Sequence, residues 1–345
     1  MDNKNLIESQ CIYGKDIFEK KLHSQNVAHI VLCCDKNVML GLGVTMFSFI
    51  QHMTLPCCFH IFFNGEMPME EDKRLAALSE KHNVPICIYH FYESLFSNLK
   101  SSNQHITVTT YYRFLVPYVL QQLKITRFLY VDTDILCIED VSDLFLRNLN
   151  NTIAFVSKDE LATTGGREEY CAEIGMRGRK YFNAGMLFID VEEYVAHNIG
   201  WKALELATKT TYPYMDQDVL NILLEGKVIF DNSYAYNCLI SLQNNMLPKT
   251  IKIVHFVAKE KPWKLYTTYL GNRKIRQGAG PCSWKYAYYE QWRNMKEQSP
   301  WKDYSYTLPK DYHEWRYLSN MYRQNGEYMK ALKAYYRYLK AKLNK

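Results

Sequence analysis

Arg127-Phe-Leu-Tyr-Val-Asp132-Thr-Asp134-Ile-Leu-Cys-Ile138 is the stretch from which the rest of the chain can be read. Phe128 to Val131 form a short, apolar, β-favouring run, the pattern of a buried parallel strand. Ile135 to Ile138 are apolar again, and two carboxylates stand between the runs, one residue apart. Burying a carboxylate without a partner is costly. A divalent cation at the C-terminal end of the strand removes that cost. A hard ion such as Mn²⁺ or Mg²⁺ takes oxygen ligands and shares them with phosphates. Open α/β sheets bind ligands at those same strand ends. An Asp-x-Asp in this setting suits a nucleoside diphosphate. A pair of turn or capping aspartates fits the same twelve residues, and the stretch alone leaves both readings open.

Composition bounds the remainder. A chain of 345 residues holds two domains, or one large α/β domain with an appendage. The net charge of +6 is unevenly placed: residues 315–345 carry eight Lys or Arg against one Glu, so the other residues sum to −1. Basic character thus belongs to the tail, which argues against a nucleic-acid partner for the body. The ten cysteines have no regular spacing, and the pairs Cys33-Cys34 and Cys57-Cys58 sit in strand-like runs. Reduced core thiols and a reducing cytosol are the expectation. No secretory leader opens the sequence, and no apolar run is long enough to span a bilayer.

Strands and helices alternate outward from the central stretch. Ala28–Asp35, Cys57–Phe63 and Pro85–Phe91 read as strands, with helices from Val44 and from Met69 to His82 between them. That alternation implies βαβ units and a mostly parallel sheet. The first 25 residues read as a short helix or loose arm. Thr109 to Leu123 reads as one helix kinked at Pro117. Asp140–Leu146 reads as a short helix, 151–157 as a strand, and Asp159–Arg179 as a mobile loop. Tyr181-Phe-Asn183-Ala-Gly185 leads into a strand through a glycine, where backbone approaches a ligand closely. Val191–Lys209 reads as a helix. A further helix opens at Pro213-Tyr-Met-Asp216-Gln217-Asp218, whose acids are either caps or pocket groups. Lys227–Phe230 and Ile251–Val254 read as strands, the second ending in His255, with Lys261-Pro-Trp close behind. A neutral imidazole completes an Mn²⁺ shell, and a lysine meets phosphate as a point charge. Residues 264–310 show little periodicity. Residues 314–344 read as helical, with Met329, Leu332, Tyr336, Leu339 and Leu343 on one narrow face beside Lys330, Lys333, Arg337 and Lys340.

In this order and combination the motifs resemble glycosyltransferase family eight, and within it the bacterial lipopolysaccharide hexosyltransferases. The resemblance covers roughly residues 28–264, and residues 280–301 are similar to the C-terminal region of that subgroup. It implies a GT-A fold: a Rossmann-like, mostly parallel sheet with flanking helices, here followed by a C-terminal helical tail. The implied division is an extension over 1–25, a catalytic domain over 26–265, and an aromatic, basic region over 266–345. The implied activity is retaining, metal-dependent transfer of galactose or glucose from a UDP-sugar to a lipopolysaccharide core oligosaccharide.

Carried over residue by residue, the resemblance makes Asp132, Asp134 and His255 the ligands of Mn²⁺ or Mg²⁺. Asp35 and Asn37 become nucleotide contacts, and Thr133 and Asn183 donor contacts. Arg113, in Thr110-Tyr-Tyr-Arg113, and Asp216 hold the donor sugar. Gln217 stands beside the reacting carbon, and Lys261 meets the diphosphate. One departure is Ala258, where the family usually has glycine three residues after the histidine; close backbone approach to the diphosphate is altered there. A protein or other glycan acceptor, or a catalytically silent module, are the alternatives. A nucleotidyltransferase also pairs aspartates with a metal, but would leave Asp216-Gln217-Asp218 and the His255/Lys261 pair idle. The tail has two readings: a helix in the interface of an anionic inner membrane, on its cytoplasmic face, or a helix packing its strip on the catalytic domain.

Overall fold

The computed structural model describes residues 11–16, 27–96, 98–99, 108–159, 167–240, 248–257, 261–264, 284–324 and 326–343. It divides into two compact units, Met1–His255 and Phe256–Lys345, so Lys261-Pro-Trp belongs to the second.

The first unit is built on an eight-stranded sheet in the order β1-β4-β3-β2-β5-β8-β7-β9. The strands are β1 (Cys11–Asp16), β2 (Ala28–Asp35), β3 (Cys57–Asn64), β4 (Ile86–Phe91), β5 (Arg127–Val131), β7 (Ala154–Lys158), β8 (Phe182–Asp190) and β9 (Val228–Asp231). Strands β4, β3, β2 and β5 run parallel, as do β7 and β9. The helices α1 (Met39–His52) and α2 (Met69–His82) supply the crossovers, and ten residues of α1 from Met39 to Phe49 are buried. Apolar, β-branched and aromatic residues fill both faces of β2, β3 and β5, which is why these strands read as near-continuous hydrophobic runs.

The chain winds outward through β3 and β4 and then returns to the other side of β2 as β5. The strand order therefore reverses between β2 and β5, at the ends that carry Asp35 and Asp132. Such a switch point is where an open sheet forms a ligand crevice. A second sheet, β10 (Cys238–Leu239), β11 (Ile253–His255) and β6 (Ile135–Cys137), pairs His255 with Ile135 directly after the Asp-x-Asp.

Several elements depart from the sequence reading. β8 runs antiparallel to both β5 and β7, so the sheet is mixed about its centre. Residues 11–16 are a strand, antiparallel to β4, because the open edge of β4 offers unpaired backbone groups. Residues 108–123 are a 3-10 helix over Val108–Phe114 followed by α3 (Val116–Gln122). Pro117 stands in the first turn of α3, where its missing N–H costs nothing, and so opens a helix rather than bending one. Ser142–Leu146 is a single 3-10 turn. Part of the expected loop is helix α4 (Arg167–Glu173), while 160–166 lie outside the described residues. Val191–Lys209 is two helices, α5 (Val191–Ala196) and α6 (Ile199–Lys209), divided at Asn198, whose φ of 53° ends the first. Helix α7 spans Met215–Leu223.

In the second unit, α8 (Trp284–Gln298) lies within the stretch that showed little periodicity. Its buried face mixes Tyr289 and Trp292 with Arg293 and Lys296, so a hydrophobic pattern misses it. The ammonium of Lys296 donates to Lys302 O at 2.7 Å and lies over the Tyr306 ring. The tail is a hairpin rather than one helix: α9 (Tyr312–Gln324) and α10 (Tyr328–Leu343) turn at Gly326, φ 76°. Leu318, Met321 and Ala334 form its core, and Ser319 Oγ donates to Ala331 O at 2.8 Å. The strip Met329, Leu332, Tyr336, Leu339 and Leu343 faces outward, 41–85 % exposed. Among the described residues no helix is long and apolar enough to cross a membrane.

Candidate active site

The site begins where β5 ends. Asp132 N donates to Gly185 O at 2.9 Å, which fixes the Asp-x-Asp turn against the start of β8. Thr45 Oγ1, from α1, donates to Thr133 O at 3.1 Å and Ile135 O at 2.8 Å, clamping the turn from its other side. The Thr133 side chain is partly exposed.

One carboxylate oxygen of Asp132 is already committed. Oδ1 accepts from Arg113 Nη2 and from the Tyr130 hydroxyl, each at 2.9 Å. Oδ2 is left facing His255, with Asp134 Oδ1 3.2 Å and Asp132 Oδ2 3.9 Å from His255 Nε2. Ligand atoms of Asp132, Asp134 and His255 all lie within 4.8 Å of one another.

The histidine is held in one tautomer. Asn237 is fully buried, and its amide NH₂ donates to Asn183 Oδ1 at 2.9 Å, which turns its carbonyl oxygen to His255 Nδ1 at 3.0 Å. Nδ1 therefore donates, and Nε2 directs its lone pair at the two aspartates. Two anionic oxygens and a lone pair converging on one point repel each other unless a cation lies between them. The donor set, two carboxylates and one imidazole, suits a hard to borderline divalent ion, and the residues present fit such a group.

Gly185 explains the close packing of the three. A Cβ built there would stand 2.2 Å from His255 Cε1 and 2.8 Å from Asp132 Oδ2. The glycine is required by space, since any side chain would enter the ligand cluster.

Arg113 ties this cluster to the helix α7. Its Nε lies 3.0 Å from Asp216 Oδ2, its Nη1 donates to Ala184 O at 2.7 Å, and its plane covers the Tyr130 ring at 4.3 Å. Thr110 Oγ1 donates to Asp216 Oδ1 at 2.7 Å. Burial pushes the Asp216 carboxyl above its ordinary value, against the pull of Arg113. Burial alone would lower Arg113, but the Asp216 carboxylate outweighs it and the guanidinium is held charged. Three carboxyl groups, those of Asp132, Asp134 and Asp216, thus share one guanidinium, an acid-rich setting that a divalent cation complements.

Gln217 is fixed at both ends of its amide. Oε1 accepts from Asn183 Nδ2 at 3.1 Å and Ala184 N at 3.0 Å; Nε2 donates to Asp159 Oδ2 and the Tyr181 hydroxyl, each at 3.2 Å. Asp218 is a structural partner: it accepts from the Tyr181 and Tyr170 hydroxyls and from Tyr214 N. Burial and Asp218 together push Tyr181 far above an ordinary phenol, so it stays protonated and donating. Met215, with φ 49°, turns the chain into α7 so that Asp216 and Gln217 enter this network.

At the end of β2, Asp35 is buried and accepts from Asn37 N at 2.8 Å, while the Asn37 side chain is exposed. Lys261 lies in the second unit, where its ammonium donates to Phe256 O at 2.7 Å. Ala258 lies outside the described residues. The structure thus joins Asp132, Asp134, His255, Arg113, Asn183, Asp216 and Gln217 in one continuous network. Asn237, Tyr130 and Asp159 belong to it and escaped the sequence reading. Only a polar residue just before the short apolar pair Cys238-Leu239 could have signalled Asn237.

Residues 29–267 match the model of glycosyl transferase family 8. The chain belongs to this family of glycosyltransferases. It is 28% identical over 323 residues to the lipopolysaccharide 1,3-galactosyltransferase of Salmonella typhimurium, covering 90% of this chain and 89% of that one. It is 25% identical to the lipopolysaccharide glucosyltransferase WaaO of Escherichia coli, covering 94% of each. Among solved structures it is similar to the galactosyltransferase LgtC in complex with donor and acceptor sugar analogues, with a TM-score of 0.61 at 22% identity over 77% of this chain and 99% of LgtC. The fold is that of the GT-A glycosyltransferases.

Proposed function

We propose that the protein is a retaining hexosyltransferase that moves galactose or glucose from a UDP-sugar to a lipopolysaccharide core oligosaccharide, with Mn²⁺ or Mg²⁺ at Asp132, Asp134 and His255. The observation that carries this reading is the convergence of Asp132 Oδ2, Asp134 Oδ1 and His255 Nε2 on one point. A silent binding module has no use for such a cluster, and a nucleotidyltransferase has none for a fixed Gln217 beside it. The relatives named for lipopolysaccharide glycosylation support the acceptor class.

When bound, the cation supplies a Lewis acid for the diphosphate and offsets the charge of the leaving UDP. The chain's own residues do the rest. Asp35 and Asn37 contact the nucleoside, and Thr133 and Asn183 the donor. Arg113 and Asp216, already locked together, hold the sugar hydroxyls and set its geometry. Gln217 stands by the anomeric carbon. A neutral amide held at both ends is a poor nucleophile, so its role is to position. That favours departure of UDP and attack by the acceptor on one face, through an oxocarbenium-like state. Turnover of UDP-galactose and UDP-glucose with Mn²⁺, with and without an oligosaccharide acceptor, tests the reading. Release of UDP that persists with EDTA in excess contradicts it.

The same reading places the enzyme on the cytoplasmic face of the inner membrane, through the outer face of α10. That face is apolar and aromatic, and Lys330, Lys333, Arg337, Lys340 and Lys342 share a helix that contains no acid. Tyrosines suit the headgroup layer. Each basic residue near an anionic leaflet contributes about 1 kcal/mol, so three or four give about 3–4 kcal/mol, enough for reversible docking. Sedimentation with anionic vesicles at low salt, and release at high salt, is the expected result. Full-length protein that stays in the supernatant at low salt removes the docking.

A further inference from the structure

A second group of metal-ligating side chains lies in the first unit, toward the opposite ends of the strands. His29 is the second residue of β2, Cys58 and His60 the second and fourth of β3. In the register of the two strands His29 pairs with Cys58 and Val31 with His60, which puts all three side chains on one face of the sheet. His29 Nδ1 is 2.9 Å from His60 Nε2, and Cys58 Sγ is 3.5 Å from the same nitrogen. Cys58 and His60 are buried; His29 is half-buried and gives access from solvent. The nucleotide-sugar chemistry at Asp132 uses none of them.

We propose that His29, Cys58 and His60 form a zinc site, with water as the fourth ligand. The geometry is near to what the ion needs. A tetrahedral site with Zn–N of about 2.0–2.1 Å and Zn–S of about 2.3 Å separates N from N by about 3.3 Å and N from S by about 3.6 Å. The Cys58–His60 spacing already matches, and the His29–His60 spacing opens by about 0.4 Å on the solvent side. The other ring nitrogen of His60, Nδ1, lies 2.9 Å from the Tyr89 hydroxyl. Donating there fixes the tautomer and leaves Nε2 as ligand, the usual support for a metal-bound histidine. Both imidazoles favour the neutral, ligating form: burial lowers His29 to about 4 and pushes His60 well below its ordinary value. Without an ion, protons fill the centre, on the Cys58 thiol and on one of the two facing nitrogens. On binding, the thiol gives up its proton to solvent, the thiolate bonds to the ion, and His29 carries its remaining N–H on Nε2. One proton is released per ion, so affinity rises with pH. Two imidazoles and a thiolate select a borderline-soft ion, whereas the Asp132 site takes a harder one.

Cobalt separates the two sites. The full chain is stripped with chelator, dialysed and titrated with Co²⁺, and the near-ultraviolet thiolate-to-cobalt charge-transfer band is followed. The expected result is a band that saturates at one ion per chain, is displaced by Zn²⁺, persists in Asp134→Asn and disappears in Cys58→Ser. His29→Ala, at a half-buried position, is the second variant: it should weaken Co²⁺ binding at this site at least tenfold while leaving the circular dichroism spectrum unchanged. No band in the wild-type protein, or an unchanged band in Cys58→Ser or His29→Ala, overturns the proposal and leaves a buried His-His-Tyr hydrogen-bond chain.

Discussion

The two ends of the parallel strands carry ligand sets of opposite character. At the C-terminal ends of β2 and β5 stand three aspartates, Asp35 buried and Asp132 and Asp134 half-buried, and the one histidine among them, His255, comes from a second sheet. Toward the N-terminal ends, His29, Cys58 and His60 sit on strands of a single sheet, and no carboxylate is in the cluster. The first set is distributed: β2, the turn between β5 and β6, and β11 supply its members, and groups on β8 and α7 join the same network. The second is local, built from two neighbouring strands in register. The difference shows what each end needs. A site that must accept and release a diphosphate needs exposed oxygens held from several directions. Three ligands that share one face of two strands are positioned by the backbone register itself.

The comparison is tested most severely at its open end. Asp134→Asn removes one anionic ligand and should abolish metal-dependent turnover while the circular dichroism spectrum is unchanged. A Lewis-acid contribution of several kcal/mol corresponds to a loss of at least about 10³-fold in kcat. Near-native kcat would break the assignment of this end to a catalytic cation. Gly185→Ala comes next. The added methyl meets His255 Cε1 and Asp132 Oδ2, and a shift of about 1 Å at a reacting centre costs about 10²-fold in kcat/KM. Unchanged kinetics would mean that His255 moves freely and is not held for a ligand role.

Asn237→Ala sharpens the point about orientation. It leaves all three ligands in place but frees the His255 tautomer, and loss of such a partner costs about 10–100-fold in metal affinity. Mn²⁺ titration against turnover reads it directly: the concentration for half activity should rise while saturating Mn²⁺ restores kcat. A kcat loss that Mn²⁺ cannot restore would assign Asn237 a different role. The smallest effect is expected far from either end. Lys333→Gln on α10 should weaken binding to anionic vesicles about fivefold, the equivalent of about 1 kcal/mol, with UDP-sugar hydrolysis unaltered.

Much of the open end was legible because its signals are local. Asp132 and Asp134 lie between apolar runs, and Gly185 stands where a strand begins, so period and composition located them. Asn237 was illegible because its partner His255 is eighteen residues away in sequence and meets it only through the pairing of β10 with β11. The antiparallel course of β8 was hidden for a related reason: a strand buried on both faces has the same hydrophobic run in either direction. In the tail the strip on α10 is visible as a face from its spacing, but the same spacing runs on across the break between α9 and α10. The turn at Gly326 reverses the chain, and the inward face is made of Ala331, Ala334 and Tyr338 instead. Small residues at a close helix contact carry little hydrophobic signal.

In the proposed reaction a cation held by Asp132, Asp134 and His255 assists transfer on the same face that UDP leaves. The direct measurement is the proton NMR spectrum of the glycoside formed from UDP-galactose or UDP-glucose, with Mn²⁺ present and with EDTA in its place. The expected result is an α-configured anomeric proton in the new linkage and no product with EDTA. A β linkage, or α product formed equally well with EDTA, would contradict it.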